Sequence, residues 1–169
     1  MNVQGAWAIV SSPLVLGFNL TDERQMALHW STISNKHAIE INQDYAGFSG
    51  SRFASSKENE IFTPCDWGLS PGRDDASCVW PKTWSWYKPL SGRDARQSIM
   101  AVLLVNNGHA NATIGFQWEA VPGLQHSITS CKVFDVWAGR SLGVVAGVGF
   151  TAQHLAPHDS AFITLSACK

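Results

Sequence analysis

Ser11-Ser-Pro-Leu-Val-Leu-Gly-Phe-Asn-Leu-Thr21 is the stretch from which the fold of the chain is best inferred. Leu14, Val15 and Leu16 form an apolar run without alternation, which is typical of a strand covered on both faces in a parallel sheet. Thr21 is a good N-cap, and the two acidic residues after it lie where a helix dipole favours negative charge. The stretch therefore predicts a strand over residues 14–17 and a helix over residues 21–33.

The segments on either side of this stretch predict further helices. Residues 3–10 have the composition of a helix that ends before Pro13, because the residue before proline disfavours helix. Ser34 or Asn35 caps a second short helix over residues 36–42. A parallel strand needs parallel partners, and the sequence contains no second strand of this kind. We therefore expect residues 1–50 to be the end of a larger α/β unit.

The sequence pattern changes after Gly50. Residues 51–55 predict a short strand, and residues 57–82 lack periodicity and predict a surface excursion. From Thr83 onward, short apolar or alternating segments predict strands, with Asn106-Asn107-Gly108 as a hairpin signal. The later predicted strands are residues 99–105, 112–118, 133–137, 144–150 and 161–165. These strands indicate an antiparallel sandwich, so the expected division is 1–50, 51–82 and 83–169.

Composition and charge exclude several functional classes. The chain has 169 residues and a net charge of −1, which gives no electrostatic reason to expect nucleic-acid binding or membrane-surface binding. Its apolar runs are too short to span a bilayer. The first residues, Met1 to Trp7, have neither a cationic region nor a sufficient apolar region for a secretory signal.

The four cysteines admit two disulfides, Cys65–Cys78 and Cys131–Cys168. The first bridge would close a loop rich in Pro, Gly, Ser and Asp, and the second would join two predicted strands. The alternative is four buried thiols in a cytosolic protein. No zinc spacing is present. Two glycosylation sequons begin at Asn19 and Asn111, and we take Asn111 as the candidate site.

Eight tryptophans admit two interpretations. Tryptophan in sheet cores is common, whereas exposed aromatic side chains often bind sugars. The tryptophans that could form such a surface are Trp67, Trp80, Trp84 and Trp86.

No self-contained active site is evident. His158, Asp159 and Ser160 include triad residue types, but as direct neighbours they are better interpreted as turn formers. Gly47-Phe-Ser-Gly50 is not a nucleophile elbow. The three aspartates of the excursion, Asp66, Asp74 and Asp75, lack an EF-hand pattern. We predict no catalytic residue, no cofactor-binding residue and no metal ligand.

Several motifs occur in the order and spacing of one enzyme family. They are Ala6-Trp-Ala-Ile9, Ser12-Pro-Leu-Val-Leu-Gly17, Asn19-Leu-Thr21, Ser34-Asn-Lys36, Ile41-Asn-Gln-Asp44, Trp86-Tyr-Lys-Pro-Leu-Ser-Gly92, Ala101-Val-Leu-Leu-Val-Asn-Asn107, Asp135-Val-Trp137 and Ala156-Pro-His158. The chain resembles the C-terminal part of α-galactosidases of glycoside hydrolase family 27, the melibiase type. Residues 56–82 do not share the resemblance and look like an insertion.

The resemblance implies that residues 14–17 are the eighth strand of a (β/α)8 barrel and that an antiparallel sandwich follows. It implies retaining hydrolysis of terminal α-galactosides by two carboxylates about 5 Å apart. In this family both are Asp residues on earlier barrel strands, and those motifs are absent from this sequence. The implied substrate is an α-galactoside oligosaccharide or glycoconjugate. The implied location is secreted or lysosomal or vacuolar.

Two functional hypotheses follow. The first is a C-terminal portion of an α-galactosidase-like enzyme that is inactive without the barrel strands that carry the carboxylates. The second is a non-catalytic carbohydrate-binding or interaction module of β-sandwich type, which tryptophans exposed in a line on one sheet face would favour. We also expect residues 1–50 to be poorly stable by themselves, since their apolar faces have only the β domain to pack on.

Overall fold

The computed structural model describes residues 2–17, 19–62 and 78–169. The helices are α1 (Asn2–Ile9), α2 (Glu23–Ile33) and α3 (Lys36–Gln43). The strands of the first half are β1 (Ser51–Ser55), β2 (Asn59–Phe62), β3 (Cys78–Pro81), β4 (Thr83–Pro89) and β5 (Met100–Asn106). The others are β6 (Ala112–Gln117), β7 (Ser130–Asp135), β8 (Arg140–Ala146), β9 (Gly149–Leu155) and β10 (Ser160–Ser166), and a 3-10 turn covers Trp118–Ala120.

One six-stranded antiparallel sheet organises the molecule, in the order β1-β4-β5-β10-β7-β8. The ribbon β6-β9 lies over one face of this sheet, and α1 and α3 pack on the other. A separate two-stranded ladder joins β2 to β3. In the described residues, none of the helices has the length and apolar character needed to cross a membrane.

Strand β5 shows why the sheet has two cores. Met100, Val102 and Leu104 point toward the ribbon, while the alternate residues Ala101, Leu103 and Val105 point toward the helices. Side chains of a strand alternate between faces, so an unbroken apolar run fits a strand that is covered on both sides. All seven residues of β5 are buried. The antiparallel sandwich predicted for the second half of the chain is confirmed.

The predicted strand over residues 14–17 is wrong, because residues 12–17 have no regular secondary structure. A parallel strand is stable only beside parallel neighbours, and every strand pair in the described residues is antiparallel. Without such neighbours the apolar run is left at the surface.

The helix ends are partly as predicted. The Asn35 side chain accepts hydrogen bonds from the backbone N–H groups of His37 and Ala38, so it is the N-cap of α3. The N-cap of α2 is Asp22 and not Thr21. One Asp22 carboxylate oxygen accepts from two backbone N–H groups of the first turn, while Thr21 donates to the Asn19 side chain instead.

Three strand predictions need correction. The excursion contains the ladder β2-β3, although residues 57–82 showed no periodicity. The predicted strand 144–150 is the end of β8 and the start of β9, separated at Gly147, whose φ of 108° is unfavourable for other residues. Asn106-Asn107-Gly108 does not join a hairpin, because β5 and β6 belong to different sheets.

The Asn106 side chain explains that crossing between the sheets. Its amide group donates to the carbonyls of Ala110, Leu155 and Ala156, and its oxygen accepts from the Gly108 N–H. The bonds with Ala110 and Gly108 hold the turn after β5 together, and the bonds to Leu155 and Ala156 fix it to the end of β9. Asn106, the first residue of the predicted hairpin turn, is therefore a buried side chain that links the six-stranded sheet to the ribbon by hydrogen bonds.

Candidate functional site: the junction between helices and sandwich

The surface where α1 and α3 meet the six-stranded sheet is the most constrained region outside the sandwich core. Ala8, Ile9, Ala38 and Ile41 are buried there against side chains of β5 and β10. The backbones approach closely at Gly50, where an added Cβ would lie 2.2 Å from the Tyr87 carbonyl oxygen. Burial of this apolar surface fastens two of the three helices to the sheet.

Lys88 is the unusual residue of this junction. It lies on β4, its side chain is fully buried, and its Nζ donates to the carbonyls of Ala8, Ile41 and Asn42. The distances to the Ala8 and Asn42 oxygens are 3.4 and 3.2 Å. These carbonyls belong to the C-terminal ends of α1 and α3, where the helix dipole is negative and backbone oxygens lack partners. One ammonium group therefore caps two helices and attaches them to the sheet.

The burial of Lys88 has an electrostatic consequence. Loss of water around the ammonium group lowers its pKa to about 8, and the nearby Asp44 carboxylate acts in the opposite direction. The Asp44 carboxylate itself accepts hydrogen bonds from the N–H and hydroxyl of Ser91, in the turn after β4. This places a negative charge at the end of α3 close to the buried positive charge.

Two asparagine side chains tie loop backbones into the same junction. The Asn42 amide donates to the carbonyls of Trp7 and Ser12, at 3.1 and 2.8 Å, and so holds the chain that leaves α1. The Asn35 amide donates to the Val136 carbonyl at 3.0 Å while its oxygen caps α3. The junction thus has polar bonds as well as apolar packing, which fixes its geometry.

A charged cluster closes the side of the junction next to β7. Arg96 contacts Asp94 at 2.8 Å and Glu40 at 3.3 Å, and its guanidinium lies over the Phe134 ring. Burial alone would raise the pKa of Glu40, but hydrogen bonds with His37 and Arg96 hold it below its usual value. Both carboxylates are paired with the same arginine, so this cluster is structural and not an acid/base pair.

The tryptophans form a row rather than a flat platform. Trp80, Trp84 and Trp86 meet edge to face, with ring centres 5.6 and 6.1 Å apart, and Arg52 lies over the Trp84 ring. All three are half-buried, and the two on β4 pack against the core below the helices. A sugar-stacking platform needs exposed ring faces, so this arrangement does not favour the carbohydrate-binding hypothesis. Trp67 lies outside the described residues.

Helix α2 and the segment before it differ from the rest of the junction. No residue of α2 is buried. Val15, Leu28 and Trp30 expose 65%, 69% and 56% of their surface. Exposed apolar side chains grouped in one segment of sequence usually mark a contact with another chain or domain.

The remaining candidate residues from the sequence do not assemble into an active site. Asn19 is exposed, and its side-chain oxygen accepts from the N–H and hydroxyl of Thr21. His158, Asp159 and Ser160 do not form a triad, since the Ser160 hydroxyl accepts from Trp137 and the Asp159 carboxylate from the Ser160 N–H. Within the described residues, no group of three or more metal-ligating side chains occurs. Asp66, Asp74 and Asp75 lie outside the described residues.

The structure contains the Cys131–Cys168 disulfide, which joins β7 to the C-terminal segment beside it. Cys65 lies outside the described residues, so the pairing of Cys65 with Cys78 stays a prediction. Asn111 is exposed on the loop before β6, at the rim of an open cleft of about 470 Å³. The rim also carries a Lys82–Glu58 ion pair of 3.0 Å, which raises the pKa of Lys82.

Residues 82–165 match the family described as alpha galactosidase C-terminal beta sandwich domain. The match begins just before β4 and ends within β10, so it covers most of the sandwich. A probable alpha-galactosidase B of Penicillium simplicissimum is 29% identical over 164 residues, which are 96% of this chain and 32% of the relative. Alpha-galactosidase 3 of Arabidopsis thaliana is 29% identical over 87% of this chain and 27% of its own length. The chain therefore spans about a third or less of these curated relatives.

Solved structures show the same fold. Alpha-galactosidase I of Mortierella vinacea superposes with a TM-score of 0.65 at 20% identity, over 96% of this chain and 34% of that protein. The Saccharomyces cerevisiae α-galactosidase solved with raffinose gives 0.67 at 17% identity, over 98% and 42%. A β-L-arabinopyranosidase of family 27 from Geobacillus stearothermophilus gives 0.66 at 19%, over 97% and 29%. The resemblance of this chain to the C-terminal part of family 27 α-galactosidases is confirmed.

Sequence reasoning missed the role of Lys88. A signal for it was present, because Trp84, Trp86 and Lys88 occupy the same face of β4 at period two. A lysine in that position of an apolar strand face must either reach water or find buried acceptors. The carbonyls of Ala8, Ile41 and Asn42 come from distant parts of the sequence, so only the fold identifies them.

Proposed function

We propose that this chain is the C-terminal portion of a retaining glycoside hydrolase of the α-galactosidase type, in which residues 1–50 complete the catalytic barrel. The observation that carries the proposal is the family match of the sandwich together with relatives whose similarity extends over the helices as well. The substrate would be a terminal α-galactoside. This is the substrate class that the names of the relatives indicate for those proteins.

Residues 13–17 and helix α2 would form the side on which the rest of the barrel packs. Apolar side chains of this part are exposed, among them Val15, Leu28 and Trp30, and no residue of α2 is buried. Residues 12–17 lack strand partners within the described chain, as an edge segment of an incomplete sheet would. The indole N–H groups of Trp84 and Trp86 are also buried without an acceptor in the described residues, which native proteins rarely tolerate.

We propose that this chain is inactive by itself. Retaining hydrolysis needs a nucleophile and an acid/base carboxylate about 5 Å apart. Within the described residues, the carboxylates of Glu40 and Asp94 both form ion pairs with Arg96, which neutralises them. The test is turnover of a chromogenic α-galactoside by the purified 169-residue chain, with the Penicillium relative as positive control. We expect no turnover above buffer, and measurable turnover would overturn the proposal.

A second experiment tests the docking side directly. The double variant Leu28→Glu/Trp30→Glu should reduce self-association and binding of a hydrophobic dye, while the free energy of unfolding stays within about 0.5 kcal/mol. The matched control is Val144→Glu/Val148→Glu, two residues that are equally exposed but lie on the sandwich. Equal effects of the two double variants would contradict a docking surface on α2.

We also propose an extracytoplasmic location with glycosylation of Asn111. The Cys131–Cys168 disulfide supports an oxidising compartment, and Asn111 is exposed on a loop, as a sequon must be. Secretory expression in yeast should give a chain whose mobility increases after deglycosylation, and Asn111→Gln should abolish that shift. Asn19→Gln is the control variant. A shift that persists in Asn111→Gln would assign the glycan to another site.

A further inference from the structure

A pair of histidines at one end of the sandwich has no role in the proposed glycosidase. His109 lies in the turn after β5, and His158 lies in the turn between β9 and β10. The Nδ1 atom of His109 and the Nε2 atom of His158 are 3.2 Å apart. Both side chains are exposed. The pair is therefore accessible to solutes. His109 lies in the connection from β5 to β6 and His158 in that from β9 to β10, and both connections join the six-stranded sheet to the ribbon.

The separation of the two nitrogens fits a chelate. Imidazole nitrogens bind Zn²⁺ at 2.0–2.1 Å, and two of them in tetrahedral geometry lie about 3.3 Å from each other. The observed 3.2 Å also fits a direct hydrogen bond between a protonated and an unprotonated nitrogen. A metal ion would replace that single shared proton without moving the rings far apart.

The backbone around the pair is held in place before any metal binds. Asn106 fixes the turn of His109 to the carbonyls of Leu155 and Ala156, three and two residues before His158. The Asn106 N–H donates to the Asp159 carbonyl, on the other side of His158. A site whose ligands are positioned in advance loses less entropy on binding.

The conformation of His158 adds an independent indication. Its φ is 56°, in the left-handed region that costs a residue other than glycine about 1 kcal/mol or more. This conformation brings its ring to that of His109, with ring centres 5.1 Å apart. The Glu60 carboxylate lies next to the same turn, 3.4 Å from where a Cβ on Gly108 would be, and adds negative charge nearby.

We propose that His109 and His158 form a two-imidazole binding site for a divalent transition metal, with water completing its coordination. Imidazole suits Zn²⁺, Ni²⁺ and Cu²⁺, whereas Ca²⁺ and Mg²⁺ require oxygen ligands. The metal bridges the β5–β6 connection to the β9–β10 turn, and so links the two layers of the sandwich. Binding to the folded chain raises its stability in proportion to metal concentration.

Titration calorimetry and thermal melting of the metal-free full chain test the proposal, with Zn²⁺, Ni²⁺ and Mg²⁺ as probes. We expect one Zn²⁺ or Ni²⁺ per chain with a rise in the melting temperature, and no response to Mg²⁺. His109→Gln and His158→Asn should each weaken binding at least tenfold. Asparagine is chosen at position 158 because it tolerates the left-handed conformation. Both variants should melt near the metal-free parent, which separates lost binding from misfolding.

His126→Asn and His154→Asn are the matched controls, since these histidines are also exposed but lie elsewhere on the sandwich. They should retain the parent affinity. Absence of Zn²⁺ and Ni²⁺ binding by the parent would overturn the proposal. Binding that survives in both His109→Gln and His158→Asn would overturn it as well. Neither result depends on glycosidase activity, so the metal site and the proposed function can fail independently.

Discussion

Helices α1 and α3 and helix α2 come from the same fifty residues, yet they relate to the sandwich in opposite ways. The first two bury Ala8, Ile9, Ala38 and Ile41 and are capped by Lys88. The 11-residue α2 has no buried residue. The structure divides residues 1–50 into a docked part and an undocked part, and the expectation that they are poorly stable by themselves stays a prediction.

The difference shows what kind of surface each helix needs. A helix attached to a sheet gains stability from its buried stripe, since isolated helices of this length are marginal in water. The docked helices have such a stripe against β5. Helix α2 would obtain one only from a surface outside the described chain. The predictions below test this division, from the largest expected effect to the smallest.

The largest expected difference in stability is between a tryptophan of the sandwich core and a tryptophan of α2. Trp118 is 1% exposed and donates its indole N–H to the Gly147 carbonyl at 2.7 Å, while Trp30 is 56% exposed. Trp118→Ala should lower the free energy of unfolding by about 3 to 5 kcal/mol, through the cavity and the lost bond. Trp30→Ala should change it by less than about 0.5 kcal/mol. Urea unfolding measures both, and a comparable loss in Trp30→Ala would show that α2 is docked after all.

The disulfide should be nearly as important to the sandwich. Cys131 and Cys168 are 37 residues apart in sequence, and closing a loop of that length in the unfolded chain corresponds to about 4 kcal/mol in the chain-entropy model. Replacing both cysteines by alanine should lower the free energy of unfolding by about 3 to 4 kcal/mol. Urea unfolding of both proteins measures this loss, with the slopes of the free energy of unfolding against urea concentration checked to be equal. A loss below about 1 kcal/mol would mean that the C-terminal strand pairing holds without the bridge.

These features differ in how far the sequence predicts them. The alternating strands, a cap at Ser34 or Asn35 and the Cys131–Cys168 bridge were predicted from local pattern and residue type. The structure contains the strands and the bridge, and it places the cap at Asn35. The strand predicted over residues 14–17 rested on an apolar run alone. Such a run indicates burial on both faces but not what supplies the burial, so the prediction failed where partner strands are missing.

The hydrogen bonds of the buried Lys88 and Asn106 side chains could not be predicted from the sequence, for a different reason. Lys88 and Asn106 each bind three carbonyls, most of them far away in sequence. A side chain in a strand or turn gives no indication of which distant backbone it will meet. The resemblance to a known family predicted the order of elements, and the contacts within the junction still had to come from the fold.

The pH dependence of stability tests the attachment of the docked helices. The pKa of Lys88 is about 8 in the folded chain and about 10.4 when unfolded. Between these values the unfolded chain binds more protons, so stability should rise with pH. Relative to Lys88→Met, which does not titrate, the parent should gain about 2 kcal/mol between pH 8 and pH 10. Urea unfolding of both proteins at several pH values measures this difference.

A constant or falling difference across that pH range would mean that the three carbonyl bonds offset the burial of the ammonium group. Amide exchange at the C-terminal ends of α1 and α3 gives a second measurement. In Lys88→Met these amides should exchange faster, because the carbonyls of Ala8, Ile41 and Asn42 lose their shared donor.

The two N-caps make the most sensitive comparison, because they are alike in chemistry and differ in docking. Asp22 and Asn35 each accept hydrogen bonds from two backbone N–H groups of their helix. Asn35→Ala should lower the free energy of unfolding by about 1 to 2 kcal/mol, since it removes the cap and the bond to Val136. Asp22→Ala should change it by less than about 0.5 kcal/mol, because a helix that buries nothing frays without unfolding the rest. Urea unfolding gives the global values, and amide exchange in α2 reports the local fraying that Asp22→Ala should cause. Equal global losses would place α2 in the same cooperative unit as α3.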